Sequence, residues 1–167
     1  MNPPSSSFDL RASVLRVVPN VFETMLDLAA EPVVAPDASR PPEWASEENR
    51  ICAIIGIGSE VVSGMFYFHL PEGFSRIVAS RLLDSELGHT AGDREVNDAV
   101  GELCNMISGG LKGDLADAGF DTAMSPPSIV RGKDFSIESE PGLAVEHFHF
   151  RCQGELLDLE IHLRVEA

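Results

Sequence analysis

The sequence predicts an α+β fold, an antiparallel β-sheet with about three α-helices packed on it. Three observations carry that prediction. Apolar residues recur at helical spacing in three separate segments. Two pairs of stretches rich in β-branched and aromatic residues are each joined by a short turn containing glycine. The resulting order of helix, hairpin, helix, helix and then strands lacks the strict strand–helix alternation of a parallel sheet. With 167 residues, of which 44% are apolar and 23% charged, the chain has the length and balance of one ordinary globular domain. We expect a flexible N-terminus over residues 1–9 and a single domain over 10–167.

Leu10, Val14, Val17, Val18, Val21, Met25 and Leu28 trace one face of a helix over residues 10–29, with Pro19 kinking it or marking its true first turn. Residues 30–46 hold Pro32, Pro36, Pro41 and Pro42 and read as an extended surface linker. Residues 49–57 and 61–70 form a β-hairpin across Gly58-Ser59-Glu60. Gly56 and Gly58 there do not make a phosphate loop, because no third glycine, lysine or following helix accompanies them. Pro71-Glu72 opens a second helix with Phe74, Ile77, Val78 and Leu82 on one face. After a polar connection over 84–92, Asp93 is the expected N-cap of a long helix that Gly119 closes as a left-handed cap. The last third reads as strands at 127–132, 143–152 and 155–165, with 135–138 ambiguous. If Gln153-Gly154 is a two-residue turn, Phe150 faces Leu157 and Phe148 faces Leu159 on one side, while His149 meets Asp158 and His147 meets Glu160 on the other.

Twelve Lys and Arg against 27 Asp and Glu leave a formal charge of -15, which argues against nucleic acid and against anionic membranes as partners. The longest apolar run, residues 51–57, is far short of the roughly 20 residues of a membrane helix. The first seven residues lack the basic and apolar regions of a secretory signal. Cys52, Cys104 and Cys152 fall outside any Cys-x-x-Cys spacing and read as reduced thiols, Cys104 as a packing thiol rather than a nucleophile, so a cytoplasmic location is expected. His147 and His149 could form a metal pair. Pairing with the opposed carboxylates is the simpler expectation, and with no third ligand in view no metal site is expected. Met25, Met65 and Met106 read as core residues.

The informative segment is the long helix. Val96, Val100, Leu103, Ile107 and Leu111 form its apolar stripe, and Asp98, Glu102, Asn105, Gly109 and Lys112 run about 200° away from it. Asn is a mediocre helix former, and each glycine of the Gly109-Gly110 pair costs about 1 kcal/mol relative to alanine. A helix built for stability alone would use other residues. Gly109 leaves a flat patch one turn beyond Asn105 where another backbone can approach, with Glu102 and Asn105 reaching outward. An ordinary solvated face remains the alternative on spacing alone.

Asp98-x3-Glu102-x2-Asn105, followed by small residues and by an extended segment from Pro127, resembles the signature of the CheC/CheX/FliY phosphatases of bacterial chemotaxis. Residues 21–26, Ala53 to Ile57, Gly64 to Phe66 and Glu102 to Gly109 are CheX-like as well, and the resemblance spans residues 10–165. It departs from the family pattern in the 21 residues between Asn105 and Pro127, one fewer than usual, and in Gly110, where asparagine is frequent. A second Glu-x-x-Asn would need glutamate at position 17, where Val17 stands before Asn20, so the CheX-like branch with one site per chain is favoured.

The resemblance implies a CheX-like fold and hydrolysis of the aspartyl phosphate of a response-regulator receiver domain such as CheY. Asn105 would position the attacking water and Glu102 would dock the receiver's lysine. Asp98, Gly109 and Lys112 would extend the partner-binding stripe. Mg2+ would belong to the partner receiver, with no cofactor of the chain's own. A homodimer formed through a sheet edge is also implied. The alternative is a non-catalytic adaptor of the same fold that binds a phosphorylated receiver or a chemotaxis or flagellar protein.

Overall fold

The computed structural model describes residues 8–34, 48–83 and 91–166. Residues 1–7 of the expected flexible terminus over 1–9, residues 35–47 of the proline-rich linker and residues 84–90 of the polar connection lie outside them. Helix α1 spans Leu10–Val21 and runs into a π-helical turn at Phe22–Leu26. Strand β1 is Glu31–Val33, β2 is Arg50–Gly58 and β3 is Val62–Pro71. Helix α2 is Glu72–Leu82 and α3 is Asp93–Asp117. Strands β4 (Ala123–Met124), β5 (Ser128–Gly132), β6 (Ala144–Cys152) and β7 (Glu155–Val165) complete the chain.

All seven strands form one antiparallel sheet in the order β1-β6-β7-β3-β2-β4, with β5 pairing β2. The two hairpins are its frame. In the second, Gln153 (φ 50°) and Gly154 (φ 80°) both adopt the left-handed conformation of a type I′ turn, which matches the twist of the strands it joins. That turn fixes the register expected from the sequence: Phe150 opposes Leu157, Phe148 opposes Leu159, His149 opposes Asp158 and His147 opposes Glu160. Leu157, Leu159 and Ile161 therefore point with Phe66, Phe68 and Phe148 into a core that the helices close. Phe22 joins the helical layer to the sheet, edge-on to Phe68 at 6.3 Å and stacked on Phe74 at 6.4 Å.

Several elements differ from expectation, each for a physical reason. The first helix ends three residues early, at Asp27 in the left-handed conformation (φ 53°). Pro19 lies inside α1 and does not begin it; the helix starts at Leu10, capped by Asp9, whose Oδ1 accepts from the Ala12 N–H at 3.0 Å. The wider π-turn that follows carries Met25 out to solvent, 46% exposed, and puts Leu26 in the core in its place. Met65 and Met106 are half-buried. The start of the linker is extended and exposed as expected, but Glu31–Val33 also pairs with β6 as an edge strand, a place that tolerates Pro32. Residues 135–138 stay outside the sheet, and the two-residue β4 was not expected.

Candidate functional site

Helix α3 presents the site. Its apolar stripe is sealed against the sheet: Val96, Val100 and Leu103 are 0% exposed and Ile107 only 1%. Gly92, not Asp93, is its N-cap, because the Asp93 side chain is drawn away to Arg76 at 3.3 Å. The other end closes as expected in a Schellman motif. Gly119 (φ 95°) donates to the Ala116 carbonyl, and Phe120 reaches back to the Leu115 carbonyl at 2.8 Å.

On the outer side, Asp98, Glu102 and Gly109 are exposed, while Asn105 and Lys112 are half-buried. The five residues expected to share one face do so. Among the described residues, neither Glu102 nor Asn105 has a hydrogen-bond or ion-pair partner, and a Cβ added to Gly109 would meet nothing within 4 Å. The ridge therefore gives up stability without internal return. Asp98 and Glu102 form a like-charge i,i+4 pair, which costs a few tenths of a kcal/mol. Asp98 and Lys112 also lie outside the first and last turns of α3, where the helix macrodipole would reward their charges.

The extended segment near Pro127 lies alongside the helix. A Cβ on Gly101, the residue before Glu102, would come within 3.3 Å of Pro127 Cγ, so glycine here lets β5 run close beside α3. Arg131 on β5 fixes the same end. Its Nε donates to Asn97 Oδ1 at 2.6 Å, Nη1 to Glu72 Oε1 at 3.0 Å and Nη2 to the Asp93 carbonyl at 3.3 Å. This clamp escaped sequence reasoning, since nothing in the spacing of Glu72, Asn97 and Arg131 announces that they meet. Cys104 is buried among apolar groups. Burial pushes its pKa up to about 12 against the hydrogen bond with Ser108, as suits packing rather than nucleophilic attack.

The opposite face of the sheet carries a second polar assembly. His147 Nδ1 donates to Asp158 Oδ2 at 2.8 Å, so its partner is the diagonal carboxylate, not the directly opposed Glu160. Glu160 instead accepts from His69 Nε2 at 2.9 Å and His162 Nε2 at 2.6 Å. Burial opposes the Glu160 charge, but the bonds from His69 and His162 outweigh it and hold the carboxyl below its ordinary value. The sequence expectation of no third ligand beside His147 and His149 is thereby corrected: cross-strand register brings Asp158 to both.

The fold and the outward Glu-x-x-Asn define an α+β domain of the CheC/CheX class. Residues 51–151 match the family model for chemotaxis phosphatase CheX, and the chain belongs to that family of phosphatases. The "CheY-P phosphatase CheX" of Thermotoga maritima is 26% identical over 125 residues, 74% of this chain and 77% of the relative. A crystal structure of chemotaxis protein CheX from Vibrio vulnificus aligns with a TM-score of 0.77 at 25% identity, over 98% of this chain and 100% of that one. A Borrelia burgdorferi CheX, crystallised as a CheX-CheY-BeF3-Mg2+ complex, has the same fold at a TM-score of 0.69 and 19% identity, over 95% of this chain and 99% of its own. Among the described residues no helix is long and apolar enough to cross a membrane.

Proposed function

We propose that the protein accelerates hydrolysis of the aspartyl phosphate on a CheY-like receiver domain, with Asn105 orienting the attacking water and Glu102 docking the receiver. The observation that carries this reading is the pair itself, three residues apart on one helix face, projecting without internal partners beside open space at Gly109. The CheY-P phosphatase activity of the Thermotoga relative and the CheY bound in the Borrelia complex support it.

An aspartyl phosphate is an activated acyl phosphate, so catalysis needs little beyond holding a water in line with phosphorus and balancing charge. The Asn105 carboxamide can accept from that water and donate to a phosphoryl oxygen without being a strong base. Glu102 is an exposed carboxylate suited to a charge-assisted bond with a lysine beside the phosphorylated aspartate. Asp98 extends the acidic ridge, Gly109 admits the receiver backbone and Lys112 meets its acidic rim. Mg2+ is the receiver's in this reading. With a net charge of -15, encounter relies on this local complementarity more than on long-range attraction.

The test is phosphate release from a phosphorylated receiver with and without the protein. Faster release that disappears in Asn105→Ala supports the reading. Binding without faster release turns the protein into an adaptor, and full activity in Asn105→Ala removes the mechanism. Pairing of two chains through a sheet edge belongs to the same reading. Among the described residues one sheet edge is β1, beside which Val34 is 85% exposed, and the other includes β5, where Val130 is 40% exposed. Sedimentation of the purified chain checks it.

A further inference from the structure

The sheet face turned away from α3 holds chemistry that the phosphatase reading does not use. Four histidines and two carboxylates gather there on β3, β6 and β7, and His69, His147, His162, Asp158 and Glu160 are all buried. A hydrogen-bonded network would account for such a group if every member were satisfied, since half-satisfied buried networks are costly. Two atoms here are not. His149 Nε2 and Asp158 Oδ1 are both buried without a hydrogen-bond partner, and they face one another at 3.5 Å. Either tautomer of His149 leaves them unmatched, because 3.5 Å is too long for a good N–H···O bond and two bare lone pairs repel. Each orphaned group costs about 1–3 kcal/mol.

A cation between them resolves both. Two donors bound at about 2.0–2.1 Å to one tetrahedral ion stand roughly 3.4 Å apart, close to the spacing seen. His147 supplies the third donor, since its Nδ1 already lies 2.8 Å from the other oxygen of Asp158. One ligand atom from each of His147, His149 and Asp158 can be chosen so that all lie within 4.8 Å of one another. The set comes from adjacent strands in fixed register, His149 directly opposite Asp158, so it is held by backbone hydrogen bonds and not by loops. A cleft of about 350 Å³ is lined by His147 and Asp158, so two of the three residues border open space.

We propose that His147, His149 and Asp158 bind a single divalent transition-metal ion of the zinc class on the face of the sheet away from α3. Two imidazoles and one carboxylate suit such an ion better than Ca2+ or Mg2+, which prefer all-oxygen sites. Binding releases to solvent the proton that His147 Nδ1 directs at Asp158 and leaves one tetrahedral position to water.

The test uses the full chain stripped with a chelator and titrated with Zn2+ by calorimetry and with Co2+ by visible absorption. The expected result is one ion per chain with the intense absorption of tetrahedral Co2+, weakened at least about tenfold in His149→Gln. Zinc X-ray absorption of the unmutated protein, which does not depend on any variant folding, should report two imidazoles and no sulfur. Absence of saturable Zn2+ and Co2+ binding overturns the proposal. So does a shell containing sulfur or only non-imidazole oxygens, or unchanged affinity in a folded His149→Gln protein.

Discussion

Val17 of α1 fills the space in which a side chain on Gly110 of α3 would stand. A Cβ on Gly110 would lie 2.6 Å from Val17 Cγ1 and 3.2 Å from Cγ2. The two helices cross here almost backbone to side chain, and Val17 is 3% exposed. One departure from the family pattern, Gly110, and the lack of a second Glu-x-x-Asn at Val17 thus meet in one contact: asparagine at 110 would collide with Val17, and a buried position 17 leaves no room for an outward glutamate. The adjacent glycines have different causes, since Gly110 serves packing and Gly109 leaves open space.

Gly110→Ala is therefore expected to destabilise the protein although it improves helix propensity. Overpacking costs about 1–3 kcal/mol, against roughly 1 kcal/mol gained from replacing glycine in a helix. Chemical unfolding should show a lower midpoint. A midpoint equal to or above that of the parent would mean that α1 shifts freely and that the contact is loose.

Gly109→Ala should do the reverse, stabilising the fold by about 0.5–1 kcal/mol while impairing the proposed docking of a receiver. The expected pattern is a higher unfolding midpoint with a raised KM for the phosphorylated receiver. Glu102→Ala should resemble it in KM, and Asn105→Ala should chiefly lower kcat, because only the last acts on the attacking water. Steady-state phosphate release resolves these patterns, and a KM unmoved by both Gly109→Ala and Glu102→Ala would place docking elsewhere.

The parts of the fold legible in the sequence are those where local pattern and tertiary demand agree. The 153–154 turn set the register of β6 and β7 to the residue, because a one-residue slip would have turned Phe148 and Phe150 out of the core. The outward stripe from Asp98 to Lys112 was legible from helical phase alone. Met25 was misplaced because a π-turn changes the phase without a sequence mark. The Arg131 clamp and the diagonal His147–Asp158 bond escaped because their pairings are chosen by tertiary geometry, between elements in the one case and diagonally across strands in the other.

Arg131 is expected to hold the N-terminal end of α3 in place beside β5. Arg131→Ala should cost about 1–3 kcal/mol, since it frees the Glu72 carboxylate and the Asn97 amide from charge-assisted bonds. Arg131→Lys should recover only part of that, as one ammonium cannot span three acceptors. Hydrogen exchange checks the local effect: amides of residues 93–98 should exchange faster in the alanine variant, and unaltered protection there would deny the clamp its role.

The three cysteines should be inert in the native state. All are buried, and burial raises every one of their pKa values, with Arg81 opposing the effect at Cys152. Because the thiolate is the reactive form, alkylation at mildly alkaline pH should label none of them until denaturant is added, when all three should react. Mass spectrometry reads the count, and rapid labelling of Cys104 without denaturant would show that α3 opens locally.

The last prediction concerns acid. Asp114, near the C-terminal end of α3, accepts from Ser13 and Arg16 of α1. The Ser13 hydrogen bond, against the opposing effect of burial and with help from Arg16, holds the Asp114 carboxyl below its ordinary value. A carboxyl with a lowered folded pKa is protonated first in the unfolded chain. Its contribution is therefore complete above the ordinary carboxylate range and is lost as pH falls through the lowered value. Arg16 is 62% exposed, so screening keeps the ion pair modest. Asp114→Asn should lower stability by about 1 kcal/mol at neutral pH. The gap should hold down to the ordinary carboxylate range, near about pH 4, and close only as pH falls through the lowered value beneath it, where the folded parent also loses the charge. Urea unfolding across that range measures it, and a gap that widened toward acid would reverse the assigned sign.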